Sequence, residues 1–171
     1  MAKKNLIVGQ SGGPTAVINS SLYGVVSEGL SHPDTIEHVY GMVNGIEGFL
    51  NDCILDFEEA LPGEDLNGLK STPGAYLGSC RYKLPESLED PVYPALFKKF
   101  EELNIGWFFY IGGNDSMDTV SKLSRYAEHI GSFIRVIGEP KTIDNDIYGT
   151  DVTFGFHTAV DIATEVIDRI H

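Results

Sequence analysis

The sequence predicts an α/β protein of the doubly wound, Rossmann-like kind, with a mostly parallel sheet and helices on both faces. Two observations lead to this prediction. Short apolar runs that suit strands alternate along the chain with longer segments of helical periodicity. In addition, residues 106–111 are almost uninterruptedly apolar, which is typical of a parallel strand that is covered on both faces.

The predicted elements follow one another at short spacing. A strand at residues 6–9 leads through a turn at Gly12 into an amphipathic stretch at residues 15–30. We interpret the apolar run at residues 133–138 as a buried parallel strand. The other expected elements are a strand at 36–40, a helix at 91–103 with a proline in its first turn, the strand at 106–111, and a helix with the apolar residues Met117, Val120, Leu123, Ala127 and Ile130.

Two regions depart from this rhythm. Residues 51–90 are rich in glycine, proline and acidic residues, and we interpret them as long loops with short elements, a type that is more often functional or mobile than idle. An apolar helical face runs over residues 159–170, and the sequence stops at His171 without a residue that would end the helix. We therefore expect the chain to be a fragment of a longer protein.

Composition narrows the class of partner. The 171 residues carry 12 basic and 25 acidic side chains, a formal charge of −13, which opposes binding to nucleic acid or to anionic lipid. No apolar run approaches the roughly 20 residues that span a bilayer, and the amino terminus lacks a signal-peptide core. The two cysteines give no sign of an oxidising compartment. We predict a cytoplasmic protein that binds neither nucleic acid nor membrane. Any binding of phosphates by so acidic a chain would need a few local cations, backbone amides or a bridging metal.

The segment after the strand at 133–138 carries the densest chemistry. It brings Lys141, Thr142, Asp144 and Asp146 to the carboxyl end of a strand, where ligands collect in open α/β sheets. Such acidic and amide residues also suit an ordinary turn, which is the alternative interpretation. A turn would not need the lysine and the threonine, whereas phosphoryl transfer would use a base, a cation and positioning groups together.

Two glycine-rich segments add to this picture. A diglycine at 112–113 joins the most apolar strand to a helix that starts with Asn114, Asp115 and Ser116. Simple capping of the helix explains one of these polar residues but not all three. Arg81 follows a second glycine-rich segment, and its guanidinium suits phosphate oxygens, although a lone loop arginine is usually a surface ion pair.

Taken together, these segments resemble the phosphofructokinase family. The resemblance spans almost the whole chain, in the family's order, and implies two α/β domains with the active site between them. Residues 1–140 would form the domain that binds the phosphoryl donor, and residues 141–171 would hold the catalytic loop and the start of a truncated sugar-phosphate domain. The matching pieces are the diglycine at 12–13, LGSCR at 77–81, GGNDS at 112–116, PKTIDND at 140–146, GTD at 149–151, FGFHTA at 154–159 and IDR at 167–169.

The resemblance also implies roles for single residues. Asp144 would remove the proton from the sugar-phosphate hydroxyl, Thr142 would hydrogen-bond the substrate, and Asp146 would support the charged site. Arg81 would steady the phosphoryl group in transfer, and Gly12 would present its backbone to the donor. The residues expected to bind the donor are Gly12, Gly113, Asp115, Ser116 and Lys141.

The donor itself is expected to be inorganic pyrophosphate. Members of the family that use ATP generally have glycine where this chain has Asp115 and Lys141. The carboxylate of Asp115 would crowd and repel a nucleotide, and the ammonium of Lys141 suits the phosphate of a smaller donor. Asn114 stands where the family usually has a metal-facing aspartate, so contact of Asn114 with Mg²⁺ is expected through a neutral ligand.

The implied reaction is the reversible phosphorylation of fructose 6-phosphate to fructose 1,6-bisphosphate by pyrophosphate and Mg²⁺, in glycolysis and gluconeogenesis. The full-length protein is expected to be a homo-oligomer. Because the family's Met-Gly-Arg run and further basic residues for the sugar phosphate are absent from this sequence, we expect the 171 residues alone to be inactive. Two alternatives stay open. One is an ATP-dependent phosphofructokinase, and the other is a non-catalytic paralogue that binds phosphate or serves as a regulatory subunit.

Overall fold

A single five-stranded sheet forms the centre of the structure. The computed structural model describes residues 2–170, apart from the side chain of Glu64. His171, at which the sequence stops, thus lies outside the described residues. The sheet has the order β3-β2-β1-β4-β5. The strands are β1 Lys4–Gln10, β2 Ile36–Met42, β3 Ile54–Asp56, β4 Ile105–Gly112 and β5 Arg135–Pro140.

The strand order confirms the predicted α/β class with a mostly parallel sheet. β1 pairs in parallel with both β2 and β4, and β4 pairs in parallel with β5. The short strand β3 runs antiparallel to β2, with Tyr40 opposite Asp56. The chain builds β2 and β3 on one side of β1 and then crosses to build β4 and β5 on the other side. The order therefore reverses between β1 and β4, which is where such sheets bind ligands.

Two apolar clusters cover the two faces of the sheet. Ile7 and Phe108 face one cluster, and their neighbours Leu6 and Val8 face the other, as the alternation of side chains in a strand requires. The first cluster includes residues of α2, α4 and α5, and the second includes residues of α1 and a 3₁₀ helix. The helices are α1 Ile18–Leu30, α2 Gly45–Leu50, α3 Phe57–Ala60, α4 Val92–Glu102, α5 Asn114–His129 and α6 Phe156–Ile170, and the 3₁₀ helix is Gly63–Ser71.

The last strand differs from its prediction in burial. β5 begins at Arg135 rather than at Phe133, and the Phe133 side chain is 98% exposed before the strand starts. The four interior residues of β5 are only half-buried. The expectation of a buried strand was wrong because, among residues 2–170, β5 has a strand neighbour on one side only, so its apolar residues are at the edge of the sheet.

The ends of two helices also differ from expectation. α1 begins at Ile18, three residues after the predicted start, because Thr15 accepts a backbone bond from Ile18 in a turn that precedes the helix. α5 ends at His129, so Ile130 follows the helix and is 44% exposed rather than continuing its apolar face. The predicted elements otherwise form at the expected places.

The last helix stands apart from the two clusters. None of the residues of α6 is buried, and its apolar side chains Val160, Val166 and Ile167 are exposed. The division into a domain at 1–140 and a second one from residue 141 stays a prediction. No helix among residues 2–170 combines the length and the apolar character needed to cross a bilayer.

Candidate active site

A cavity of about 500 Å³ lies at the carboxyl ends of the parallel strands, at the reversal between β1 and β4. Its walls come from the loops that follow β1, β4 and β5 and from the segment around Arg81. All of the sequence-predicted site residues line it, so the fold brings together residues up to about 130 positions apart. They are Gly12, Arg81, Gly113, Asn114, Asp115, Ser116, Lys141, Thr142, Asp144 and Asp146.

The loop after β1 is held by two neighbouring segments. The Ser79 hydroxyl donates to the carbonyl oxygen of Gly12 at 2.6 Å, and the Lys141 ammonium donates to that of Gly13 at 2.6 Å. Gly12 adopts φ +75°, in the left-handed region that favours glycine. The two bonds fix both carbonyl groups of the diglycine, so three separate parts of the chain form one wall of the cavity.

Lys141 is a buried cation. Its side chain is only 4% exposed, and its backbone nitrogen donates to the carbonyl of Gly112, which extends the pairing of β4 with β5. Loss of water around the ammonium lowers the pKa of Lys141 below its ordinary value, and the carboxylate of Asp144 partly opposes that shift. An anion bound in the cavity would pair with this charge.

The first turn of α5 brings three polar residues to the cavity without using them as caps. Gly113 is the residue that precedes the helix, and no side chain caps this end, so the simple capping interpretation does not hold. Ser116 is buried beneath Gly112, where an added Cβ would lie 2.0 Å from the serine hydroxyl oxygen. Asn114 donates its side-chain amide to the carboxylate of Asp146 at 2.6 Å.

Asp115 forms an ion pair at the mouth of the cavity. Its carboxylate lies 3.2 Å from the ammonium of Lys83, and both side chains are largely exposed. Lys83 was not among the predicted site residues. It stands two positions after Arg81, and a second cation there in so acidic a chain was a signal that sequence reasoning passed over.

The turn that carries the expected base has its own internal bonds. The backbone nitrogen of Asp144 donates to the hydroxyl of Thr142 at 3.1 Å. Asn145 adopts φ +56° and exchanges two hydrogen bonds with Thr153. The side chain of Asp144 lines the cavity and is exposed to it. Sequence reasoning did not single out Asn145 or Thr153.

Two buried amides hold the segment that leads to Arg81. Gln10 and Asn19 are almost fully buried and bonded to each other at 2.9 Å. Asn19 donates to the carbonyl groups of Thr72 and Gly74, and Gln10 accepts from the backbone of Leu77. The sequence did carry a signal for this anchor. Gln10 is a polar residue in the apolar strand β1, and Asn19 is a polar residue on the apolar side of α1.

Side chains of both charges line the cavity. Arg81, Lys83 and Lys141 face a space that also receives the carboxylates of Asp144 and Asp146. These local cations agree with the expectation that an acidic chain binds phosphate through a few positive groups. Asn114, Asp144 and Asp146 line the same cavity, and their amide and carboxylate oxygens are of the type that could hold a magnesium ion.

Comparison with known proteins agrees with this geometry. A protein-family model described as phosphofructokinase matches residues 5–171. The pyrophosphate–fructose 6-phosphate 1-phosphotransferase of Methylococcus capsulatus is 42% identical over 157 residues, which cover 91% of this chain and 37% of that protein. ATP-dependent 6-phosphofructokinase 3 of Bacteroides thetaiotaomicron is 34% identical over 165 residues, covering 94% of this chain and 46% of that protein.

A solved structure is similar in both sequence and shape. The crystal structure of a pyrophosphate-dependent phosphofructokinase from Marinobacter aquaeolei matches with a TM-score of 0.82 and 43% identity. The match covers 97% of this chain and 41% of that one. The chain thus spans less than half the length of these relatives.

Proposed function

This chain belongs to the phosphofructokinase family, and we propose that the whole protein transfers a phosphoryl group from inorganic pyrophosphate to fructose 6-phosphate. The reaction yields fructose 1,6-bisphosphate and phosphate, and it is readily reversible. One observation carries the choice of donor. Asp115 and Lys141 line the same cavity as Asp144.

Asp115 and Lys141 would act in opposite ways on the phosphoryl donor. The Asp115 carboxylate lines the cavity, where it would crowd and repel a nucleotide, which is larger than pyrophosphate and carries an additional phosphate. Lys141 holds a buried positive charge beside the diglycine loop, where a phosphate group can pair with it. Similarity points the same way, since relatives named for pyrophosphate reach 42% identity and the Bacteroides ATP-dependent relative reaches 34%.

In the proposed reaction, Asp144 accepts the proton of the sugar-phosphate hydroxyl as that oxygen attacks the terminal phosphorus of pyrophosphate. The new O–P bond forms while the bridging P–O bond breaks, and phosphate leaves. Thr142 positions the acceptor, and Arg81 stabilises the charge on the phosphoryl group in transfer. Gly12, Gly113 and Ser116 border the donor, with Lys141 paired to its charge.

Magnesium fits the oxygen donors of the cavity. The amide hydrogens of Asn114 are directed at Asp146, which leaves the amide oxygen of Asn114 and the second oxygen of Asp146 for a cation. We propose that these residues hold Mg²⁺ together with oxygens of pyrophosphate. The bound ion would neutralise charge on the phosphates during transfer.

The second candidate is ATP-dependent phosphorylation of the same sugar phosphate. It is favoured by the similarity to ATP-dependent relatives, which include the Bacteroides enzyme. The two candidates differ in the roles of Asp115 and Lys141. With pyrophosphate as the donor these residues would select against a nucleotide, whereas with ATP as the donor both would have to accommodate one.

The test is a donor comparison with the full-length protein. Fructose 6-phosphate and Mg²⁺ are supplied with either pyrophosphate or ATP, and kcat/KM is measured for each donor. We expect pyrophosphate to be used far better. A clear preference for ATP would overturn the donor assignment and leave the phosphofructokinase reaction standing.

We also propose the setting of this activity. The substrates are soluble metabolites, so the protein would work in the cytoplasm, in glycolysis and gluconeogenesis, as a homo-oligomer. We further propose that the 171 residues alone would be inactive, since they span less than half the length of the relatives. Turnover by the purified 171-residue chain would contradict that last statement.

A further inference from the structure

Asn145 stands between Asp144 and Asp146 in the turn that follows β5. It is hydrogen-bonded to Thr153, eight residues further along the chain. The Asn145 backbone nitrogen donates to the Thr153 hydroxyl at 3.0 Å, and the Thr153 backbone nitrogen donates to the Asn145 side-chain oxygen at 2.8 Å. We propose that this reciprocal pair is a positioning device that holds Asp144 in its reactive orientation. The proposal rests on the proposed function, because it concerns the base of that reaction.

The backbone of the turn needs such a device. Asn145 adopts φ +56°, a left-handed conformation that residues other than glycine, asparagine and aspartate rarely take. A turn of this shape persists only where its surroundings favour it. The two bonds to Thr153 supply that support, and the asparagine side chain provides one of them itself.

The position of Asn145 gives the pair its effect on chemistry. It is bonded covalently to Asp144 on one side and to Asp146 on the other, so rotation at Asn145 changes the direction of both carboxylates. Asp144 is also held by its bond to Thr142, and Asp146 by its bond from Asn114. The pair with Thr153 is thus the third hydrogen-bonded contact of the turn, and it is the contact that stabilises the left-handed backbone conformation of Asn145.

The segment between the partners offers little other support. Tyr148 and Val152 are exposed, and Gly149 adopts φ +83°. Thr153, in contrast, is 7% exposed, and its carbonyl accepts a bond from Phe156 at the start of α6. The pair therefore connects the turn to a buried residue beside a helix, across a loop that is otherwise open to solvent.

The expected consequence is a loss of kcat without loss of substrate affinity. A displacement of about 1 Å at a reacting group lowers a rate by about 10²-fold. Because neither Asn145 nor Thr153 lines the cavity, their removal should leave donor and acceptor binding intact. A residue with a purely structural role would instead lower the melting temperature and leave kcat unchanged at a temperature where the protein is folded.

The experiment uses the full-length protein with pyrophosphate, ATP and fructose 6-phosphate. Thr153→Val removes the hydroxyl, and Thr153→Ser restores it. Asn145→Gly keeps the left-handed backbone accessible and removes the whole side chain, including the oxygen that accepts from the Thr153 backbone, while the Asn145 backbone nitrogen can still donate to Thr153. Thr164→Val is the control, since Thr164 also has a hydrogen-bonded hydroxyl but stands on exposed α6, outside the cavity.

We expect Thr153→Val and Asn145→Gly to lower kcat about 10- to 100-fold, with KM for both substrates within about twofold. Thr153→Ser should recover most of the rate, and Thr164→Val should match the wild type. Near-normal kcat in folded Thr153→Val and Asn145→Gly proteins would overturn the inference. If Thr153→Val does not fold, Asn145→Gly decides the question. A wild-type protein that uses neither donor would instead refute the proposed function, and the inference would fall with it.

Discussion

The ammonium nitrogen of Lys141 lies 2.6 Å from the carbonyl oxygen of Gly13. The segment that follows β5 and leads into the turn with Asp144 is therefore bonded directly to the loop after the first strand. The same nitrogen is the buried charge that would meet the donor. The Lys141 side chain would therefore contribute both to donor binding and to the contact between these two segments. Its ionisation can be measured.

Pyrophosphate binding should weaken at alkaline pH as Lys141 loses its proton. Burial lowers the pKa of Lys141 from its ordinary 10.5, so the loss should begin below pH 10.5. Calorimetric titration of pyrophosphate over a range of alkaline pH, with an NMR titration of the lysine side chains, checks this. In Lys141→Arg the guanidinium stays charged, and the alkaline weakening should disappear. An identical pH profile for the wild type and Lys141→Arg would contradict the assignment.

The same shift has a consequence for stability. Since the folded state holds the Lys141 proton less tightly than the unfolded state, the charge opposes folding at neutral pH. That opposition should be relieved as the pH rises from the lowered pKa towards 10.5. Comparison of the free energy of unfolding of the wild type and Lys141→Met across this range isolates the effect, which should be absent from the variant.

Asp115 should set the discrimination against ATP. Asp115→Gly removes both the bulk and the charge at the mouth of the cavity, and we expect the ratio of kcat/KM for ATP to that for pyrophosphate to rise about 10- to 100-fold, corresponding to about 1.4 to 2.7 kcal/mol. Asp115→Asn keeps the size and removes the charge, so it separates repulsion from crowding. The double variant with Lys141→Gly should extend the rise. No change in the ratio for Asp115→Gly would remove Asp115 from donor selection.

Asp144 should matter for turnover and not for folding. Its side chain is exposed to the cavity, and only its backbone nitrogen takes part in the bonds of the turn. Asp144→Asn should lower kcat of the full-length protein by about 10²- to 10⁴-fold, because it removes the base. The free energy of unfolding should change by less than about 0.5 kcal/mol. A variant with kcat near that of the wild type would exclude Asp144 as the base.

Asn19 should stabilise the fold and, through it, the cavity. Asn19→Asp removes the two donors that bond the carbonyl groups of Thr72 and Gly74 and buries a charge, so we expect a loss of about 2–4 kcal/mol in the free energy of unfolding. Asn51→Asp is the matched control, because Asn51 donates one bond at the surface. Denaturant unfolding of the three proteins checks the difference. Equal stability of the two variants would refute the role of Asn19 as an anchor.

Lys122 should make stability fall at high pH. Its side chain is nearly inaccessible and bonds the carbonyl of Leu84 and the carboxylates of Glu86 and Asp118. Hydrogen bonds to Asp118 and Glu86 raise the pKa of Lys122 above 10.5, so its contribution is present below pH 10.5 and lost as the pH rises through the raised value. Lys122→Met should melt at a lower temperature than the wild type near neutral pH, and the difference should shrink above pH 10.5. Lys98→Met, at an exposed position, should show neither effect.

The sequence was sufficient for most of the elements, and the residues that it nominated for the site all line one cavity. Apolar periodicity located strands β1, β2 and β4, and short local motifs such as GGNDS kept their polar residues together in the fold. Burial was harder to predict, because it depends on neighbours that local sequence does not specify. The apolar β5 gave a misleading signal because it lies at the edge of the sheet.

The supporting contacts of the site were beyond local patterns. Ser79 bonds to Gly12 across 67 positions, and Gln10 bonds to Leu77 across the same separation. Such bonds depend on the sheet bringing distant loops together, and a serine or glutamine has no periodic signal that marks its partner. The ion pair of Lys83 with Asp115 likewise arises only once both segments meet at the cavity, although the place of Lys83 two positions after Arg81 was a signal in the sequence.

The order of the strands distributes stiffness unevenly around the cavity. The donor loops follow β1 and β4, which have strands on both sides, whereas the turn with Asp144 follows β5, which has one strand beside it among the described residues. Interior strands open to solvent exchange less readily than edges. Within the described residues, we therefore expect the backbone amides of β1 and β4 to exchange with solvent more slowly than those of β5.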